Sequence, residues 1–273
     1  MYNFIDTNGV QTNTALPAEA VKFNGQWLDR VVPGFKTLSV RGRESYQLSV
    51  TEEQEISVCN RGKRFIKAIQ EPRTITVKFM LSCATNADFR DSVNKLHRYL
   101  APTQKRLIFN DETDKFYTAT AMTIPEFDEG KNEVVGEIGF YCTDPRKYSV
   151  DYVTETITGD DTVSVDADDL IPCILTITAN SNLNSLTLNG LAHNKVKGTN
   201  YSIVIKNLQN GIPVIINGET MTATQNGLSK FIDGELTLKA FPTLKAGNNA
   251  ITFAKSSDVV TVTVEIKYRK TYV

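Results

Sequence analysis

The hydrophobic and polar positions fall into their clearest plan between Arg73 and Tyr148. Across 73–81, Ile75, Val77, Phe79 and Leu81 alternate with Thr74, Thr76 and Lys78, the period of a strand with one buried face. Thr85-Asn-Ala-Asp88 offers a helix cap with an acid three residues after the Thr. Phe89, Val93, Leu96 and Leu100 then recur at spacings of 4, 3 and 4, which predicts an amphipathic helix over 86–100 stopped by Pro102. Residues 106–110 and 115–122 predict two strands joined by a turn at Asp111-Glu-Thr-Asp114. Val134 to Cys142 predicts another strand, followed by Thr-Asp-Pro-Arg-Lys-Tyr148.

Upstream the pattern is weaker. Residues 1–20 are polar, with Asn8-Gly9 as a turn and no period, and suggest a flexible arm or an edge strand. The stretch 20–25 ends on the hairpin signal Asn24-Gly25, with 26–32 as a return strand and Trp27 as a core anchor. One or two short strands are expected from Gly34 to Val50, around Arg41-Gly42-Arg43. Residues 51–72 form a charged interruption containing Glu52-Glu-Gln-Glu55 and Arg61-Gly-Lys-Arg-Phe65. A loop this long inside a compact domain calls for a reason. Two stay open: a solvated hairpin arm whose charges protect an exposed strand edge, or a loop that reaches a neighbouring subunit.

The composition shifts near Tyr148. Ten of the eleven arginines and ten of the thirteen phenylalanines precede it. The later part is rich in Asn, Thr and Leu, with Asn-Gly pairs at 189–190, 210–211, 217–218 and 226–227. Between the turns, strands are expected at 174–179, 201–206, 213–216, 235–240, 250–254 and 259–268, with no helix of useful length. Regular short strands and turns predict an antiparallel sandwich. At 273 residues the chain has room for two cores, so the expectation is a mainly β protein with domains at 1–148 and 149–273.

Composition excludes more chemistry than it suggests. With 30 basic and 31 acidic residues, bulk attraction to nucleic acid or an anionic membrane is not expected. The start Met1-Tyr-Asn-Phe-Ile-Asp reads as no signal peptide, and the uncharged stretch 170–194 is too polar to span a bilayer, so a soluble chain made in the cytoplasm is expected. Cys59, Cys83, Cys142 and Cys173 form no paired spacing, and Cys142 alternates with Ile138 and Phe140 as a buried thiol. Two histidines, His97 and His193, are too few for a three-histidine site, and His97 sits off the apolar stripe, solvated. No nucleophile elbow, metalloprotease motif or Walker loop is present. Asp160-Asp161 and Asp166-x-Asp168-Asp169 lack the ligand spacing of a calcium loop and read as a solvated linker. No catalytic, cofactor-binding or metal-binding residue is assigned, and a non-enzymatic interaction or structural protein is the reading the residues reach. A carbohydrate-binding or accessory module of a surface protein is the alternative, although no aromatic platform stands out after residue 148. A hydrolase without a recognisable motif is the remaining one.

The stretch 73–148 resembles the N-terminal domain of the distal tail proteins of siphophages. The pieces that carry it are Arg-Thr-Ile-Thr-Val-Lys-Phe (73–79), Asn-Ala-Asp-Phe-Arg-Asp-Ser-Val-Asn-Lys-Leu (86–96), Lys-Arg-Leu-Ile-Phe-Asn-Asp (105–111), Phe-Tyr-Thr-Ala (116–119) and 136–148, with Phe23-Asn-Gly25 as the opening hairpin. Later, 211–218 and 234–249 are similar to the family's galectin-like sandwich, while 26–72 matches loosely. The resemblance implies an N-terminal tail-tube-like β-sandwich or split barrel with one α-helix, forming rings, and a C-terminal galectin-like domain. It implies a homo-hexamer in the tail tip of the virion, assembled in the host cytoplasm, with a lumen for DNA passage. The implied partners are the major tail protein on one face of the ring and the tail-associated tip protein on the other. Receptor-binding proteins or a weak host-surface glycan contact lie outward. Neither specific nucleic-acid binding nor membrane insertion is implied, and residues up to 148 carry 20 basic against 19 acidic side chains.

Overall fold

The computed structural model describes residues 15–45, 47–53, 64–126, 130–193, 199–231 and 234–272. The expectations about Asn8-Gly9, Cys59 and the charged stretch 54–63 therefore lie outside the described residues. The chain divides into two compact units, the first ending at Lys147 and the second starting at Tyr148. The protein is mainly β, built from antiparallel sheets.

The first unit opens with β1 (Val21–Phe23), β2 (Gln26–Trp27), α1 (Leu28–Val31) and β3 (Phe35–Arg41). It continues with β4 (Leu48–Glu53), β5 (Arg64–Gln70), β6 (Arg73–Ser82) and α2 (Asn86–Leu100). It ends with β7 (Lys105–Phe109), β8 (Glu112–Thr123), β9 (Glu133–Cys142) and β10 (Lys147–Ser149), the last straddling the division. Seven strands hydrogen-bond in the order β2-β1-β7-β8-β9-β6-β3. The apolar period of β6 does what its sequence predicts: Ile75, Val77, Phe79 and Leu81 are fully buried. They share one core with Phe23, Phe109, Tyr117 and Phe140, and α2 closes it with Phe89, Leu96 and Leu100. The helix starts where its cap places it, because the Asp88 amide donates to Thr85 Oγ1 at 3.1 Å and the Thr85 hydroxyl donates to the Asp88 carboxylate at 2.7 Å.

Three expectations change here. The return strand proposed for 26–32 is only Gln26–Trp27, after which α1 turns Leu28 into the core. That turn is pinned by Asp29, whose carboxylate accepts from the Thr37 amide and hydroxyl, both at 2.7 Å. Trp27 is half-buried on the hairpin rather than a core anchor, with Lys22 Nζ 5.6 Å from its ring centre. The turn proposed for 111–114 is only Asn110-Asp111, because Glu112 already belongs to β8, held by Lys115 and Lys147. The Asn24-Gly25 hairpin forms as its sequence requires: both residues have positive φ, 48° and 80°, which suits a tight turn joining twisted strands.

The second unit contains β11 (Val153–Ile157), β12 (Asp161–Val165), β13 (Ile171–Ala179), β14 (Leu183–Asn189), β15 (Ile203–Leu208) and β16 (Val214–Asn217). It continues with β17 (Thr222–Gln225), β18 (Leu228–Ser229), β19 (Leu236–Thr237), β20 (Thr243–Leu244), β21 (Gly247–Lys255), β22 (Val262–Tyr268) and β23 (Thr271–Tyr272). One sheet runs β11-β22-β13-β16-β17-β18 and the other β12-β21-β14-β15-β19. Inward residues of both, such as Leu175, Ile177, Leu186, Ile205, Val264 and Ile266, form one core, the arrangement of a sandwich. The acidic stretch 160–169 is not a linker. It carries β12, paired along its length with β21, and Asp160 accepts from the Phe253 amide at 2.7 Å. The strand proposed for 235–240 shrinks to Leu236–Thr237. Gly218 is required by proximity rather than φ, since a Cβ there would lie 2.3 Å from the Pro242 carbonyl oxygen.

Candidate assembly surfaces

The described flanks of the charged interruption at 51–72 belong to a strand pair, β4 and β5, here called the arm. Among the described residues, β4 and β5 pair with each other and with no other strand, as a two-stranded sheet outside the main one. A lone hairpin is marginal in water, and this one exposes its apolar residues. Leu48, Val50, Phe65, Ile66 and Ile69 are between 44% and 63% exposed. A register break between Thr51 and Glu52 sets Phe65 opposite Glu52, on the face that also carries Leu48 and Val50. Sequence reading found the segment by its charge; the apolar face was hidden because its residues are split between two strands.

Where the arm leaves the sheet, charges gather. Arg43 Nη1 donates to Asp111 at 2.7 Å and its Nη2 to Glu112 at 3.3 Å, while Lys115 and Lys147 reach Glu112 at 2.8 and 3.2 Å. Burial pushes Glu112 up, but the bonds from Lys115 and Lys147 outweigh it and hold its carboxyl below the ordinary value. Beside it Arg73 is buried against Tyr117, and desolvation pushes that phenol up to about 12. Arg43 also lies 4.5 Å over the Phe109 ring, so the cluster is anchored to the core.

The outer side of α2 borders a groove of about 720 Å³ against Ile124, Pro125 and Lys131. Phe89 and Val93 reach it from the helix, and so does His97, which is exposed as its place off the stripe implied.

In the second unit, His193 is half-buried at the end of a strand bridge, with Nδ1 2.9 Å from the Thr243 carbonyl oxygen. Burial pulls its pKa down. Arg269 packs 3.6 Å from the Tyr152 ring centre and donates to the Ser149 and Val150 carbonyls, and Tyr152 donates to Glu219 at 2.9 Å. That aromatic is therefore committed to the unit's own structure. Phe231 and Leu228 are exposed near the β18 edge, and Phe231 meets Phe241 edge-on. The acids 160–169 are dispersed in role: Asp166 pairs with Lys270 and Asp169 accepts from the Leu170 amide. Among the described residues, no three His, Cys, Asp or Glu side chains are placed to hold a metal ion.

Among the described residues, the β4–β5 pair gathers five exposed apolar side chains, Leu48, Val50, Phe65, Ile66 and Ile69. Residues 34–142 match the profile of the phage tail protein RIFT-related domain, and residues 167–272 match the siphovirus-type tail component, C-terminal domain. Together they take in most of the sequence, and the chain belongs to the siphophage distal tail, or baseplate hub, family. The fold is similar to that of the SPP1 Dit (gp 19.1) protein, called a paradigm of hub adsorption apparatus in Gram-positive-infecting phages. The TM-score is 0.73 at 18% identity, over 93% of this chain and 99% of that one. A chain of the phage P2 baseplate in its activated conformation with Ca matches with a TM-score of 0.50 at 10% identity, over 90% of this chain and 92% of that one. No curated protein sequence matches the chain.

Proposed function

We propose that this chain is the structural hub of a siphophage tail tip, with six copies closing a ring. In this reading residues 1–148 form the ring and continue the tail tube, and residues 149–273 form an outward galectin-like domain. One face of the ring meets the major tail protein and the other the tail-associated tip protein. The outward domain carries receptor-binding proteins or touches a host glycan weakly, and the lumen passes DNA without specific binding. The protein is a virion component assembled in the host cytoplasm, with a structural rather than enzymatic role.

The observation that carries this reading is the arm. A two-stranded hairpin with five exposed apolar residues, paired with no further strand among the described residues, gains stability by seating on another chain. Head-to-tail contact repeated around a closed ring satisfies every arm and leaves no open edge. Near-neutral charge up to residue 148 suits a conduit, because each tight basic contact would add affinity for phosphate.

The test is light scattering on a sizing column followed by negative-stain images of the same peak, for the chain alone and with its tube protein. Six-fold annuli are expected, and deletion of residues 52–64 abolishes them. A full-length chain that stays monomeric in both mixtures, or rings that survive the deletion, would overturn the reading. Saturable glycan binding by such a monomer would favour the carbohydrate-binding alternative.

A further inference from the structure

At the root of the arm sits a buried cation without a counter-ion. Arg73, the first residue of β6, is 6% exposed. Its Nη1 donates to the Arg43 carbonyl at 2.5 Å and to the Tyr117 hydroxyl at 3.2 Å, and its guanidinium lies 5.5 Å from the Tyr117 ring centre. Those partners are neutral. Its Nε is buried with no acceptor, and no described carboxylate forms an ion pair with it. The nearby acids are engaged elsewhere: Asp111 and Glu112 with Arg43, Lys115 and Lys147, and Asp144 with Arg146.

Arg73 borders a cavity of about 540 Å³, also lined by Ser45, Gln47, Gln70, Glu71 and Thr74. Gln70 contributes a second orphan, since its Nε2 is buried without an acceptor. Arg73 and Gln70 thus both line one cavity while each holds a buried donor without a partner, and buried donors left unpaired are costly. Nη1 is taken by these neutral partners, and Nε with Nη2 makes the fork by which an arginine takes a planar oxyanion through two parallel bonds. Glu71 is the cavity's own negative charge and opposes a bound anion without pairing with Arg73.

We infer that this cavity is an oxyanion site, for a carboxylate or a phosphate, with Arg73 as its positive pole and Gln70 as a second donor. Its position gives it a consequence. Gln47 and Glu71 close the arm's base through an amide-to-carbonyl bond of 2.9 Å, and Gln70 ends β5, so an anion held there ties the arm root to the main sheet. The oxyanion comes either from free phosphate or from an acidic side chain of another chain. The site stands apart from the ring reading, and either can fail without the other.

The experiment titrates the full-length chain with potassium phosphate and, separately, potassium acetate at constant ionic strength, by calorimetry and thermal unfolding. Saturable binding is expected, with Kd raised at least tenfold in Arg73→Lys, which keeps the charge and loses the fork, and lowered several-fold in Glu71→Gln. Response to phosphate alone assigns the site to free phosphate; response to acetate, alone or as well, assigns it to carboxylates and hence to a side chain of another chain. No saturable response to either anion, or one unchanged in both variants, would overturn the inference. Glu71→Gln leaves the buried donors in place, so it reports even where Arg73→Lys fails to fold.

Discussion

Replacing Phe65 by Ser tests whether the arm is an interface. A phenylalanine contributes about 150–250 Å² when buried, and Phe65 is 63% exposed, so on the order of 120 Å² is available for a partner to cover. At about 25 cal/mol per Å² this amounts to about 3 kcal/mol at each contact. Because about 1.4 kcal/mol is a tenfold change, each subunit contact should weaken roughly a hundredfold. In the isolated chain the same substitution removes a solvated side chain and should change unfolding by less than about 0.5 kcal/mol. Sedimentation velocity over a concentration series gives the assembly midpoint, and urea unfolding gives the chain's stability. Lys67→Ser is the control, since Lys67 pairs with Thr51 on the opposite face of the hairpin. A midpoint that moves less than threefold, or moves equally for Lys67→Ser, refutes the assignment of that face.

Other predictions concern the frame that holds these surfaces. Asn249 is buried and ties its own turn, accepting from the Lys245 amide at 2.9 Å and donating to the Lys245 and Gly247 carbonyls at 2.9 and 3.0 Å. At about 1 kcal/mol per bond, Asn249→Ala should cost about 3 kcal/mol by urea unfolding, and a loss below about 1 kcal/mol would contradict this role. Burial raises the Asp29 carboxyl above 3.8 despite the Thr37 bonds, so the folded state keeps that proton where the unfolded state has lost it. Stability should therefore fall as pH rises from 3.8 through the folded pKa, a slope that Asp29→Asn removes; identical pH profiles for the two proteins would refute it. Cys142 is buried, its thiol pushed up to about 12, and burial likewise pushes Cys173 up, so both should resist alkylation in the native chain while Cys83 reacts. Mass mapping of labelled peptides decides, and native labelling of Cys173 would refute the packing described.

By itself the sequence determined the parts whose partners lie close along the chain or whose period is unbroken. The β6 alternation, the Thr85 cap with the α2 stripe, the Asn24-Gly25 hairpin and the long strand β22 are each fixed by local sterics and by one face seeking a core. Short strands without a period escaped, β12 among them, because pairing with β21 overrides a sequence that reads as an acidic linker. Trp27 was misplaced because size alone does not say whether a hairpin turns its ring inward. The surfaces were the least legible of all. The arm's apolar face joins residues of two strands, and Arg73 has no counter-ion among the described residues, while Asp111, Glu112 and Asp144 pair with Arg43, Lys115, Lys147 and Arg146. Tertiary structure alone decides such things: whether a charge is paired or an apolar residue covered depends on distances between segments far apart in the chain, which no local pattern encodes.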